Sequence, residues 1–390
     1  MKTVLFPLLL VLCPLAIPAQ QPGTPLLTDS ARISLLTGSA GKDLYSIFGH
    51  SAIRVTDPAL QLDRCYNYGT FDLEQPNFYL LFLRGKLLYF LNPERYRDLV
   101  YSYSIEERNI QEQVLNLNDS MRQRLFELLQ ENLKKENRYY LYDFFYDNCS
   151  TRIRDLFETL YSDQLQYNHD GLPLGMTMRE LLHSKLHPIP WTRFGMDLLL
   201  GLPADRVAAP DDFMFLPDYL HDVVGRTRLP DGQPLVAFER LTPDTPYPPP
   251  SFRPPFYAQP WFATTLFALL GFWLFCFPKT AVFLERTLAW VLGLSGLLML
   301  FMWVGTDHIT TKNNWNLLWA LPTHLIFAYT PWRRYHWMAA GALALLVLLG
   351  WFFIPQQLPV EMVPVLGLIL GVGWRYFFRG MRGPTAEAVG

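Results

Sequence analysis

The sequence predicts an α+β domain outside the membrane, followed by an all-α bundle of about five transmembrane helices. Three observations carry that class. Apolar residues make up 50% and charged residues 17% of the 390 positions, but they are unevenly spread. Residues 20–240 have the mixture of a folded soluble chain with both strand and helix patterns, whereas Leu, Phe, Trp, Val, Ala and Gly dominate from Trp261 onward. Between the two parts lies "LTPDTPYPPPSFRPPFYAQP", residues 241–260, with eight prolines. Such a composition favours polyproline II and makes a stiff spacer that holds the soluble part close to the membrane.

The elements follow in chain order. Residues 1–19 have the form of a secretory signal, with Lys2 as the positive flank, Val4 to Ile17 as the apolar core and Ala19 before the cleavage point. The domain from 20 to 240 comes next, then the linker 241–260, a membrane domain 261–378 and a short tail 379–390. Five apolar segments fill the membrane domain, at about 261–277, 287–304, 316–330, 337–354 and 360–378. Each approaches the ~20 residues of a bilayer span. Pro322 and His324 interrupt the third, which is the weakest. With residue 260 outside, Lys279, Arg286, Arg333, Arg334, Arg379 and Arg382 fall inside and only Lys312 lies in an outer loop. That asymmetry orients the soluble domain outside the cytoplasm. A net charge of -2 and the lack of a basic tract exclude a nucleic-acid partner.

Within the soluble domain, "YDFFYDNCSTRIRDLFETL" places Cys149 where an aromatic run becomes a helix. Ile153, Leu156, Phe157, Leu160 and Tyr161 repeat at helical spacing, and Asp147 and Asn148 are capping types. In the first turn, unpaired N–H groups and the helix dipole stabilise a thiolate. The other cysteine of the domain is Cys65, so an oxidising compartment also allows a Cys65–Cys149 disulfide. "GHSAIRVTDP" reads as a strand that starts at His50 and stops at a turn, and "RCYNYGTFD" as its antiparallel partner. A thiol nucleophile needs a base, and the base needs a polar residue to fix its tautomer. Counting round the turn sets Thr70 to Asp72 opposite His50. One parity puts Tyr68, Thr70 and Asp72 on the histidine's face, the other Asn67, Gly69 and Phe71. Asp72 is favoured because a carboxylate orients imidazole well, and Asn67 and Tyr68 stay open.

"YSIFGHSAIRV", "YNYGTFD", "LRGKLLYFL" and "YDFFYDNCSTRIRD", with "NNWNLLWALPTHL" among the apolar segments, resemble the Lnb-type lipoprotein N-acyltransferases. More distantly, the order His, polar residue, Cys resembles the circularly permuted papain-like NlpC/P60 group. The resemblance covers about Ser34 to Trp374 and implies a permuted papain-like catalytic domain in the periplasm, on a multi-pass protein of the bacterial inner membrane. It implies transfer of an acyl chain from a membrane phospholipid donor, through a Cys149 thioester, to the N-terminal cysteine amine of a diacylated lipoprotein acceptor, with no cofactor. In this scheme Cys149 is the nucleophile and His50 the acid and base; the resemblance does not place the third residue, for which Asp72 stays the favoured one. Asn148 is a helix cap, an oxyanion donor beside the Cys149 N–H, or both. Asn67, Tyr68, Arg84, Lys86 and Arg152 are the candidates for substrate contact, the cations for lipid phosphate. Tyr139, Tyr140, Tyr142, Phe144, Phe145 and Tyr146 line an acyl groove or form core. The outer loop "GTDHITTKNNWN" is placed to close over the site, and its Asp307 and His308 are too few to make a metal site. A membrane-bound cysteine hydrolase (lipase, thioesterase or amidase) would use the same pair, and a disulfide-stabilised sensor or assembly domain would use neither residue catalytically.

Overall fold

The computed structural model describes residues 24–162, 164–248 and 254–381. The signal segment 1–19 lies outside the described residues, and of the tail 379–390 only the helical backbone to Met381 is described.

Strands β1 (Arg32–Gly38), β2 (His50–Asp57), β3 (Leu62–Thr70), β4 (Leu88–Arg95), β5 (Ile110–Leu115), β6 (Tyr139–Leu141) and β7 (Val236–Thr242) form one antiparallel sheet in the order β6-β4-β3-β2-β1-β5-β7. Side chains alternate between its faces, which gives the sheet two different coverings. Ile33, Leu35, Ile53, Val55, Tyr66 and Tyr68 point into the larger core. Leu36, Ala52 and Cys65 point the other way, towards Leu99 and Tyr103.

The connecting helices are α1 (Phe78–Leu83), α2 (Tyr96–Ile105), α3 (Asp119–Leu133), the single turn α4 (Lys135–Arg138), α5 (Cys149–Tyr161), α6 (Met178–Leu186), α7 (Pro190–Leu199) and α8 (Pro217–Arg226). Leu125, Phe126 and Leu129 of α3, Ile153, Leu156 and Phe157 of α5, and Leu220, Val223 and Val224 of α8 fill the larger core. Helix α2 covers the opposite face through Leu99 and Tyr103.

The membrane domain contains α9 (Pro260–Leu274), α10 (Pro278–Val304), the short α11 (His324–Phe327), α12 (Arg333–Leu349) and α13 (Val363–Met381). Of these, α10 and the stretch Val360–Phe378 are long and apolar enough to cross a membrane. The third expected span is not one helix. Its chain makes a 3₁₀ turn at Trp315–Leu318, turns at Pro322 and resumes helix only at α11. Proline removes a donor and clashes with the preceding turn, so the apolar run breaks there. The broken segment lies in a slot of α10, where a Cβ on Gly296 would stand 1.8 Å from Ala320 O. Glycine also allows α12 and α13 to touch: a Cβ on Gly341 would be 3.0 Å from Gly373 Cα.

The two domains also meet outside the proline-rich segment. Leu241 and Thr242 still belong to β7. The domains meet directly through α7, whose Phe194 is part of the membrane-domain core, with Leu198 and Leu199 packed against it. Asn314 Nδ2 donates to Leu198 O at 2.8 Å, Asn316 Nδ2 to Asp197 O at 3.1 Å and Gln356 Nε2 to Leu200 O at 3.1 Å. On the other side of the same joint, the fully buried Arg179 binds Asp197 at 3.0 Å and Asp205 at 2.8 Å.

Candidate active site

The run before Cys149 folds tightly because Asp143 accepts from the Phe145 and Tyr146 N–H groups at 2.9 and 3.0 Å. Asn148 then caps α5: its Oδ1 accepts from the Ser150 and Thr151 N–H groups at 2.8 and 2.9 Å, and Thr151 Oγ1 accepts from its own N–H at 2.7 Å. Both amide protons of Asn148 are also used, on Phe144 O and Phe215 O, each at 2.8 Å. It is therefore the cap, and it keeps no donor for an oxyanion. The Cys149 N–H, at the first helical position, has no intrahelical partner.

Helix α5 lies over the larger core, yet Cys149 faces His50, whose strand parity is that of the opposite face. Two glycines permit this meeting at the sheet's end. Gly49, at φ +79°, passes so close to β1 that a Cβ would be 2.8 Å from Gly38 O. Gly69, at φ +82°, sits where the β3–β4 register shifts, and even its missing Cβ would lie 3.8 Å from Cys149 Cβ. Ser51 Oγ and Ser150 Oγ, 2.9 Å apart and buried, tie β2 to the helix.

Burial opposes a charged thiol, but the His50 charge, its hydrogen bond, the Ser51 N–H and the Ser150 hydroxyl outweigh it and hold Cys149 below the ordinary thiol range. Burial likewise opposes a charged imidazole, and the Cys149 thiolate with the Asn67 hydrogen bond raises His50 above its ordinary value. Both shifts favour the thiolate–imidazolium form of the pair.

The residue that orients His50 is Asn67, whose Oδ1 is 3.1 Å from His50 Nε2. Asn67 Nδ2 donates to Glu94 Oε1 at 2.7 Å. A carboxylate only accepts, so the amide nitrogen faces Glu94 and the oxygen faces the ring. Nε2 therefore carries its proton, and Nδ1 is left for Cys149. The favoured Asp72 is not in this chain. It is exposed and accepts from the Glu74 N–H at 2.9 Å. The hairpin explains the difference: Asp57 pairs with Leu62 around the loop 58–61, and the ladder holds Ile53 opposite Tyr66. Continued by count, that register sets His50 opposite Gly69, one position short of the expected range. A one-residue shift exchanges faces, so Asn67 rather than Asp72 shares that of His50.

Other expected contacts also differ. Tyr68 is core, its hydroxyl accepting from Asn132 Nδ2 at 2.8 Å. Arg152 is clamped by Asp147 at 2.6 Å and stacked 3.6 Å over the Tyr140 ring. Arg84 and Lys86 are exposed on the α1–β4 turn, where Lys86 reaches Asp307 at 3.7 Å. Cys65 is a free thiol inside the α2-side core, and burial raises its pKa. Cys149 is also free, so no disulfide joins them. Phe145 is core and Phe144 packs against it. Tyr142 stacks on Tyr89, with ring centroids 4.4 Å apart, and its ring edge lies 3.6 Å from where a Gly69 Cβ would be.

Sequence reasoning missed Glu94, which ends the Cys149–His50–Asn67 chain, and the Tyr140 hydroxyl. That hydroxyl is buried and makes no hydrogen bond of regular geometry, although the Gly69 N–H faces it. Burial and the nearby Cys149 charge raise its pKa, so it stays a neutral donor. No group of three or more metal-ligating side chains occurs among the described residues.

A sheet domain that brings a cysteine beside a histidine, packed directly on long apolar helices, has the form of a membrane protein with a domain outside the bilayer. The family model for the Lnb N-terminal periplasmic domain matches residues 26–184, and that for the Lnb transmembrane domain matches residues 250–379. The chain belongs to the Lnb-type family, as a membrane protein with a periplasmic domain, and membership points to lipoprotein N-acyltransferase-like activity. No curated protein matches the chain, and no solved structure does.

Proposed function

We propose that the protein is a thiol-dependent lipoprotein N-acyltransferase of the inner membrane, with its site in the periplasm. The observation that carries the reading is Cys149 at a helix start beside His50, with Asn67 orienting the ring, on a domain packed against the membrane helices. The Cys149 thiolate attacks an ester carbonyl of a membrane phospholipid. The Cys149 N–H and the Tyr140 hydroxyl are the candidate donors to the resulting oxyanion. As the C–O bond breaks, His50 gives its proton to the lyso-lipid alkoxide, and the acyl chain remains as a thioester. The N-terminal amine of a diacylated lipoprotein then attacks that carbonyl. His50 accepts the amine proton, the C–S bond breaks, and an amide and the thiolate result. Asn67 and Glu94 hold the ring throughout.

Purified protein given phospholipid alone should gain one acyl chain on Cys149, released by neutral hydroxylamine. A diacylated lipoprotein should then discharge it into a hydroxylamine-stable amide. Discharge to free fatty acid with no amide at high acceptor would make the protein a hydrolase. An adduct on another residue would remove the mechanism.

A further inference from the structure

We propose that helix α1 is seated in the periplasm-facing leaflet of the bilayer, where it admits a lipid acyl chain and passes it along a row of aromatic rings to Cys149. The destination rests on the acyl-transfer reading; the placement of the helix does not.

Helix α1 has the sequence FYLLFL and no buried residue. Tyr79 is 82% exposed, and Leu80 and Phe82 are each more than half exposed. Leu88 of β4 and Leu141 of β6, paired across the sheet edge, extend the apolar surface. A patch of this kind marks a membrane or partner contact. Its position selects the membrane. The loop that follows Val304, the last residue of the 27-residue α10, grips the end of α1. His308 Nε2 donates to Phe82 O at 3.1 Å, the Asp307 N–H donates to Arg84 O at 3.0 Å, and a Cβ on Gly85 would be 3.3 Å from His308 N. Helix α10 is long enough, at ~1.5 Å per residue, to cross a hydrocarbon core of ~30 Å. Its end is therefore at the level of the lipid headgroups, and α1 is held at that level. The exposed Arg84 beside it suits a lipid phosphate.

From α1 the rings run inward. Phe78 lies 5.8 Å from Phe71, Phe71 lies 5.5 Å from Tyr89, and Tyr89 lies 4.4 Å from Tyr142, centroid to centroid. Tyr142 borders Gly69, and Gly69 borders Cys149. The row offers an acyl chain apolar contact from the bilayer to the thiolate, so its ester carbonyl reaches Cys149 while its far end remains in lipid.

The test uses the full chain in phospholipid nanodiscs doped with a phospholipid that carries a diazirine in its acyl chain. After irradiation, peptides are mapped by mass spectrometry. Residues 78–83 should label at a level comparable to Trp290 on the exposed side of α10, and well above Tyr101, which is exposed on α2. Labelling of Trp290 without residues 78–83 would overturn the proposal, including the case in which α1 binds a protein instead. Leu80→Glu should slow formation of the Cys149 acyl-thioester from vesicle phospholipid at least about tenfold, while alkylation of Cys149 by iodoacetamide keeps its rate. Unchanged loading in Leu80→Glu would overturn the entry route. Lipid labelling of α1 in a wild-type protein that never forms a thioester would support the membrane seat and sink the acyl-transfer reading instead.

Discussion

Cys65 and Cys149 belong to the same domain and neither is bonded to another cysteine, yet their surroundings drive them in opposite directions. Cys65 points from the middle of β3 into the core beneath α2, among Leu36, Ala52, Leu99 and Tyr103. Burial dominates there and raises its pKa. Cys149 also suffers burial, but it stands at a helix start beside His50 and the Ser51 N–H, which lower its pKa. Burial alone makes a thiol inert. Burial with an imidazolium and open backbone donors makes a nucleophile.

The strongest way to break this contrast is to remove each sulfur in turn. Cys149→Ala should lower acyl transfer by about 10⁴- to 10⁶-fold, as loss of a nucleophile does elsewhere. Cys65→Ala should leave turnover within about twofold and cost only the modest stability of a small core cavity. Similar losses in both, measured as rates with unfolding midpoints beside them, would mean that Cys149 is no more special than Cys65.

The second test separates His50 from mere proximity. Its removal should cost about 10²- to 10⁴-fold in turnover, the range of general acid–base catalysis. It should also move the alkylation profile. The thiolate of the folded wild type persists below the ordinary thiol pKa and is lost as pH falls through the lowered Cys149 value. Turnover has a second limit, because the acid is lost as pH rises through the raised His50 value. His50→Ala should shift iodoacetamide alkylation of Cys149 to higher pH, towards the behaviour of an ordinary thiol. An unshifted profile would assign the lowered pKa to the helix start alone.

Local chemistry made much of this site legible. The helical spacing behind Cys149, the cap before it and the glycine before His50 are short-range signals, and the capped α5 and the strand beginning at His50 both form. The partner of His50 was legible only as a choice that included Asn67, because the choice depends on the four-residue loop 58–61 that sets which face of β3 it sees. Glu94 was harder still, since it arrives from β4 through a ladder formed after α1. The same holds in the membrane domain. Apolar content located the third segment, but its path depends on Pro322 and on a glycine slot in α10. The docking of α7 on that domain is a long-range match of Asn314, Asn316 and Gln356 to carbonyls that no periodicity announces.

A third, smaller effect concerns Tyr140. If its hydroxyl donates to the oxyanion, Tyr140→Phe should reduce acyl loading by about 10²- to 10³-fold, the loss seen when one oxyanion donor is removed. The Cys149 alkylation rate should hardly change, because alkylation creates no oxyanion. A parallel fall in both would mean that Tyr140 acts only by packing under Arg152.

Asn67 should give the smallest effect and the sharpest one. It does not touch Cys149; it sets the His50 ring through Oδ1 and is itself set by Glu94. Asn67→Ala leaves the thiol, the base and the helix start in place, but frees the ring to rotate and to choose the other tautomer. A misplaced group of this kind costs up to about 10²-fold. Asn67→Asp should recover part of the loss, since a carboxylate also accepts from Nε2. The recovery should be incomplete, because it places a second acid against Glu94, whose burial already raises its pKa. That repulsion fades when one of the two acids is protonated, so the Asp variant should approach wild-type loading more closely at the acidic end of the range in which Cys149 remains a thiolate. Glu94→Gln in the Asn67→Asp background should remove this pH dependence. If Asn67→Ala loads as fast as wild type, the ring is held by its walls alone. The thiolate at Cys149 would then depend on His50 being near, and not on its being aimed.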